Sequence, residues 1–315
     1  MRRGVIDTLR RGADNTFANW PLSLIRFSEV LLFGLIAVAA VIATVLPLLV
    51  SFGIHLADVH TPEEVETAML TLLDKWVMLL WVMLGVLVML LVFMIIHSFV
   101  EAGCAFVFVD ADRAAGPQTA GPRQRYKLFS VERWMAGAKE GWWEVFWIYN
   151  LAWGAAALVL LIPLIPIAAL VFALHDKPAP AIAVGCVGLV LFMLFAIVVA
   201  VVTGMWTNRS IVQWAAQRGE IRQALSTGWR AIKTDLGRHL LVALAIFVIA
   251  MAGSSFFASF SMFAAFGDSV RGTAAFNMVT LPIRLVGSLL SSAFSAVIGS
   301  WYIASYAALA VENKS

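Results

Sequence analysis

Eight polar residues sit inside or at the edges of long apolar stretches: Glu29, His97, Glu101, Glu144, Asn150, Asn208, Arg209 and His239. Charges placed inside a membrane are costly and normally face protein or water. His97 and Glu101 are four apart and share a helix face. A histidine with two carboxylates, here Glu29 and Glu101, can hold a metal ion or relay a proton. The same residues can instead be solvated at helix ends or paired with one another, Glu29 with Arg209 for example. A site for a lipid headgroup or a transported substrate is the third reading. There is no HExxH motif, and His55 and His60 fall in a loop, so no metal site is assigned.

Three further patterns could make a binding or packing surface. Trp142, Phe146, Tyr149 and Trp153 recur at helical spacing, with Trp143 and Trp147 beside them. Tryptophan favours the membrane interface, and the stripe runs from there toward mid-membrane. It reads as belt and core packing, or as a surface for a partner helix, a lipid or a pigment-like cofactor; no cofactor is assigned. Gly287, Ser291, Ser295 and Gly299 form a small-residue ridge, with Ser288, Ser292, Ala296, Ser300 and Ala304 as a second one. Such ridges let helices approach closely. Pro47, Pro163 and Pro166 either kink their helices or mark helix ends, and the helix-end reading is preferred.

The elements that must position these residues follow from composition. Of the 315 residues, 62% are apolar and 13% charged, against about 25% charged in a soluble domain. Six stretches are long enough to cross a bilayer as helices: 27–52, 76–100, 143–174, 180–205, 239–266 and 283–310. The sequence therefore reads as one integral membrane domain over 1–315, an all-α bundle of six spans. Of the 22 Lys and Arg residues, all but Lys75, Lys177, Arg271 and Arg284 lie in the N-terminal segment, the second and fourth gaps, or the tail. The positive-inside rule then puts both termini in the cytoplasm. The basic segments face anionic lipid, which removes any need for a nucleic-acid partner. The first span is too long for a signal-peptide core and reads as an uncleaved anchor. Cys104 and Cys186 lie in or beside spans and do not suggest a disulfide.

Residues 1–26 read as an interfacial helix, with Val5, Ile6, Leu9, Ala13 and Phe17 at helical spacing among arginines. The loop 53–75 reads as a short acidic helix opened by Thr61 and Pro62. Ser130–Gly141 and Glu220–Lys233 read as amphipathic helices, the second with Ile221, Leu225, Trp229 and Ile232 on one face. These suggest a threefold repeat of an interfacial helix followed by a transmembrane hairpin. The alternative is convergence, because any hairpin that starts on the inner side tends to begin basic and aromatic.

The basic stretch Arg222-Gln223-Ala224-Leu225 through Lys233-Thr234-Asp235-Leu236-Gly237-Arg238 runs directly into a span, and Glu132–Trp147 is its counterpart. In this the chain resembles a broad group of bacterial six-span proteins, including the membrane domain found on some glycerophosphodiester phosphodiesterases. The resemblance covers most of the chain and implies the six-span fold. These residues contain no phosphodiesterase domain, so it implies no such activity. No phosphate-binding loop, dinucleotide fingerprint, CxxC or CxxCH is present, which argues against nucleotide hydrolysis and covalent haem. The expected function is a non-enzymatic scaffold or accessory subunit among membrane lipids and other membrane subunits. The alternative is a transporter or lipid-handling permease using the polar residues near the inner face.

Overall fold

A computed structural model describes residues 3–51, 76–117, 123–271 and 274–312. The expected helix at 53–75, with His55 and His60, lies outside them. The described residues form eight α-helices and no strand: α1 (Val5–Ala18), α2 (Pro21–Ser51), α3 (Trp76–Ala115), α4 (Val131–Ala173), α5 (Pro178–Gln217), α6 (Ile221–Thr234), α7 (Leu236–Arg271) and α8 (Ala274–Glu312), with one 3-10 turn at Arg123–Tyr126. Six of them, α2, α3, α4, α5, α7 and α8, are long and apolar enough to cross a membrane. The protein is an all-α, multi-pass membrane bundle.

The six long helices pair as antiparallel hairpins. Phe33 stacks on Phe93 between α2 and α3, with ring centroids 4.5 Å apart. Ile167 meets Gly188 between α4 and α5, and Phe294 meets Gly253 between α7 and α8. The last helix is the central post. It touches α1, α2, α3, α5 and α7, and Ile303, Ala304, Tyr306, Ala307 and Ala310 are fully or almost fully buried.

The helices that enter each hairpin lock the hairpins into a ring. On α1, Leu9 accepts a hydrogen bond from the Trp301 indole at 2.8 Å. One turn on, a Cβ at Gly12 would meet the Ser305 backbone nitrogen at 2.8 Å. On α6, Leu225 accepts from the Trp206 indole at 2.9 Å, and a Cβ at Gly228 would meet the Ser210 backbone at 3.1 Å. At the start of α4, Trp134 packs edge-on against Phe99 at 5.7 Å and lies on Gly103, while Gly137 faces Phe106. In each case the entry helix crosses the second span of the preceding hairpin, and the first entry helix crosses the last span. The aromatic residue and the small residue on that span are four apart every time: Phe99 and Gly103, Trp206 and Ser210, Trp301 and Ser305.

Several sequence expectations change here. Ser130–Gly141 is not a separate amphipathic helix. It forms the first turns of α4, capped by Ser130, whose side chain accepts from the Arg133 amide. Nothing there breaks the chain as Pro21 and Asp235 do before α2 and α7. Pro163 and Pro166 are not helix ends, because α4 continues to Ala173. In hydrocarbon a free backbone group has no water to bond to, so continuing the helix past a proline costs less than ending it. The expected apolar face of α1 is divided. Val5 and Leu9 pack on the core, whereas Ile6 and Phe17 are exposed. The face turned to the bundle is polar, with Thr8, Arg11, Asn15 and Asn19 buried.

That polar face holds α1 in place. Arg11 donates from Nε to Asp112 at 2.6 Å and from Nη2 to the carbonyls of Asp112 and Gly116 at 2.8 and 2.7 Å. Arg3 adds a bond to the Ala308 carbonyl at 2.9 Å. Asn19 donates to the Tyr126 carbonyl and accepts from the Leu128 and Phe129 amides, ordering the chain before α4. Burial pushes the Tyr126 phenol above its usual pKa, and Arg11 lies over its ring at 5.3 Å. Arg238 bonds Glu312 at 2.6 Å and closes the ring between α7 and α8.

Gly12→Ala should be destabilising by about 1–3 kcal/mol, because its methyl group meets backbone that must move. Gly34→Ala, where nothing lies within 4 Å, should be neutral or slightly stabilising. Thermal unfolding of both variants in detergent checks the pair.

Candidate functional site

The polar residues near the basic end divide into two groups. In the first, Glu29 (α2), His97 and Glu101 (α3) come together as their depths suggested. Arg26 (α2) and Tyr149 (α4) join them. Glu29 and Glu101 are buried. Glu29 Oε1 lies 2.7 Å from His97 Nδ1, and His97 Nε2 lies 3.1 Å from the Tyr149 hydroxyl. With Glu29 ionised, Nδ1–H donates to the carboxylate and Nε2 accepts from the phenol, so a neutral imidazole satisfies the whole chain. Arg26 pairs with Glu101. The Arg26 guanidinium also passes Gly299, where a Cβ would lie 3.2 Å from Nη1. Gly299 is thus the member of the Gly287, Ser291, Ser295, Gly299 ridge with a defined role. Gly287 is buried, Ser291 half-buried and Ser295 exposed. In the neighbouring ridge Ala296, Ser300 and Ala304 are buried, Ser292 is half-buried and Ser288 is exposed.

The second group lies between α5, α7 and α8. His239 stands 5.8 Å from Tyr306, ring to ring, and its Nδ1 faces the Asp235 carbonyl at 2.9 Å. Arg209 is 1% exposed, and its Nε and Nη1 have no hydrogen-bond partner, nor has His239 Nε2. The expected Glu29–Arg209 pair does not form. Glu29 is taken by His97, and Arg209 sits on α5 with the His239–Tyr306 group. Asn150 and Asn208 join neither group. Each donates to the carbonyl four residues back, Phe146 and Gly204, at 2.8 Å, a local bond that competes with longer-range ones. Among the described residues no three His, Cys, Asp or Glu side chains gather as a metal site.

The aromatic stripe is also divided. Tyr149 turns inward to His97, while Trp153 is 44% exposed. Trp142 packs on Trp143, which stacks on Phe146 at 5.6 Å. The side chains that line a cavity are the flanking pair, Trp143 and Trp147. With Leu151, Ala155 and Val159 on α4, they face Phe195, Val198 and Val202 on α5. Trp206 and Trp229, 5.4 Å apart, close the end of this groove with Ile221, Arg222 and Leu225 of α6. Its volume is about 1020 Å³ and its surface is almost wholly apolar. The i, i+4 series from Trp143 to Val159 was visible in the sequence. Its facing wall on α5 and the α6 cap were not.

No family model matches this chain, and no curated protein or solved structure matches it either.

Two outcomes follow from the pairing. Glu101→Leu leaves the Arg26 charge buried without its partner and should destabilise the bundle by about 3–5 kcal/mol. The double variant Arg26→Met/Glu101→Leu should recover most of that loss, and a double-mutant cycle of thermal midpoints measures it. Arg209→Met removes a buried charge with two unpaired donors, so it should leave stability unchanged or raise it.

Proposed function

We propose that this protein is a non-enzymatic membrane scaffold, an accessory subunit of a larger assembly in a bacterial inner membrane. Its basic end and both termini lie in the cytoplasm. The asymmetry of Lys and Arg supports that orientation. Several ionisable side chains at that end satisfy one another across helices: Arg26 with Glu101, Glu29 with His97, Arg3 and Arg11 with Asp112, Arg238 with Glu312. Groups spent in this way hold helices together and leave little for chemistry.

The carrying observation is at the far end. On α3, Leu80, Trp81, Met83, Leu84, Leu87 and Val88 are all at least half exposed. On α5 the consecutive residues Leu189, Val190 and Leu191 are exposed by 57–60%. At 100° per residue, such runs turn most of the helix circumference away from this chain's own core. Apolar helix surface that is open on several sides suits packing against other spans as well as lipid.

A second reading, a transporter or lipid-handling permease, draws support from the Glu29–His97–Tyr149 chain. A carboxylate, an imidazole and a phenol in series can pass a proton between helices.

Mild extraction followed by native mass spectrometry tests the scaffold reading. The protein should appear with another membrane protein at fixed stoichiometry. Leu191→Trp with Leu194→Trp should weaken that association without shifting the thermal midpoint of the bundle. A protein that runs alone, with or without these changes, overturns the scaffold reading. Proton-coupled uptake into vesicles that His97→Ala abolishes would favour the second reading.

A further inference from the structure

The geometry points to the groove between α4, α5 and α6 as a binding site for one acyl chain of an anionic phospholipid, with the headgroup phosphate at Arg222. The groove lies between two spans, so its occupant comes from the membrane. Leu151, Val159, Phe195 and Val198 give it walls of hydrocarbon. Trp143 and Val159 are about 24 Å apart along α4 at 1.5 Å per residue. Half of a bilayer's hydrocarbon core is about 15 Å, so a chain from one leaflet fits within that length and leaves the tryptophan end at headgroup level. A volume of about 1020 Å³ lies at the upper end of ordinary ligand pockets, about 300–1,000 Å³.

The polar end selects charge. Among the described residues that line the groove, Arg222 is the one that is ionisable, and it is exposed. It lies three residues before Leu225, which accepts the Trp206 indole bond. In the other two entry helices the residues three before Leu9 and Trp134 are Ile6 and Val131, and both are exposed apolar side chains, at 80% and 63%. Of three equivalent positions, the one beside the large groove is the one that carries a cation. The Leu225 carbonyl is already bonded to Trp206, so that acceptor is not left facing a phosphate. The neighbouring indoles of Trp206 and Trp229 are amphipathic and suit the same depth.

The inference is independent of the scaffold reading, since a monomer that keeps its lipid upholds one and overturns the other. The full-length protein is stripped of lipid by detergent exchange and incubated with phosphatidylglycerol or phosphatidylcholine, and lipid retention is read by native mass spectrometry. The wild type should retain one phosphatidylglycerol in preference to phosphatidylcholine. Arg222→Gln should reduce that preference about fivefold with an unchanged thermal midpoint. Ala155→Trp, which fills the groove, should abolish retention of both lipids. Equal retention of the two lipids by the wild type, or an unchanged preference in Arg222→Gln, overturns the assignment. So does undiminished binding in a folded Ala155→Trp variant. A photo-cross-linker at Val198 that captures another polypeptide in place of lipid also overturns it.

Discussion

Close approach of backbone at three crossings is the constraint on which the rest of the bundle depends. Gly12 against Ser305, Gly228 against Ser210, and Gly137 against Phe106 with Gly103 against Trp134 leave no room for a larger side chain. Lipid tails are as apolar as leucine, so helices in a membrane gain little from hydrophobic exclusion and rely on contact and hydrogen bonding. The glycines provide the contact. Beside two of them an indole N–H finds a carbonyl on the crossing helix, at Leu9 and Leu225. Because each entry helix grips the preceding hairpin, the three hairpins close into a ring around α8.

The buried charges are a consequence of that closure. Once α1 is pressed onto α3 and α8, Arg11 and Asp112 are both fully enclosed. Enclosure of either alone would carry a large desolvation penalty, and the pair with its additional carbonyl bonds offsets it. The same logic accounts for Arg26 and Glu101. Arg209 departs from it, since its side chain is enclosed yet two of its donors have no partner. Density is therefore concentrated at the basic end, where the crossings are, and the hairpins are each left to pack on themselves farther out. The groove between α4 and α5 begins where α6 stops bracing them.

Legibility varied with the range of the interaction. The six spans and the basic end depend on composition and on the order of nearby residues, and these were plain in the sequence. The meeting of Glu29, His97 and Glu101 was partly readable from equal depth. Their partners were not, because Arg26 and Tyr149 reach them across helices and Glu29 and His97 are 68 residues apart. Choosing Arg209 as the partner for Glu29 assumed that equal depth implies contact. Depth leaves the azimuth of a residue on its helix unspecified, and azimuth decides pairing. The stripe at Trp142, Phe146, Tyr149 and Trp153 is divided for a similar reason. Helical spacing identifies a face but not what lies opposite, and the adjacent face with Trp143 and Trp147 is the one that meets α5 and α6.

What the amino-acid sequence determined by itself is the class of the protein and the disposition of its charge. Hydrophobicity and charge act residue by residue against a layered solvent, so a linear reading captures them. What only the tertiary structure decided is which polar groups neutralise one another, which small residues are crossings, and where an apolar groove with Arg222 at its end is left between helices. Those depend on how rigid helices rotate and cross, and that is settled jointly by contacts between residues far apart in the chain.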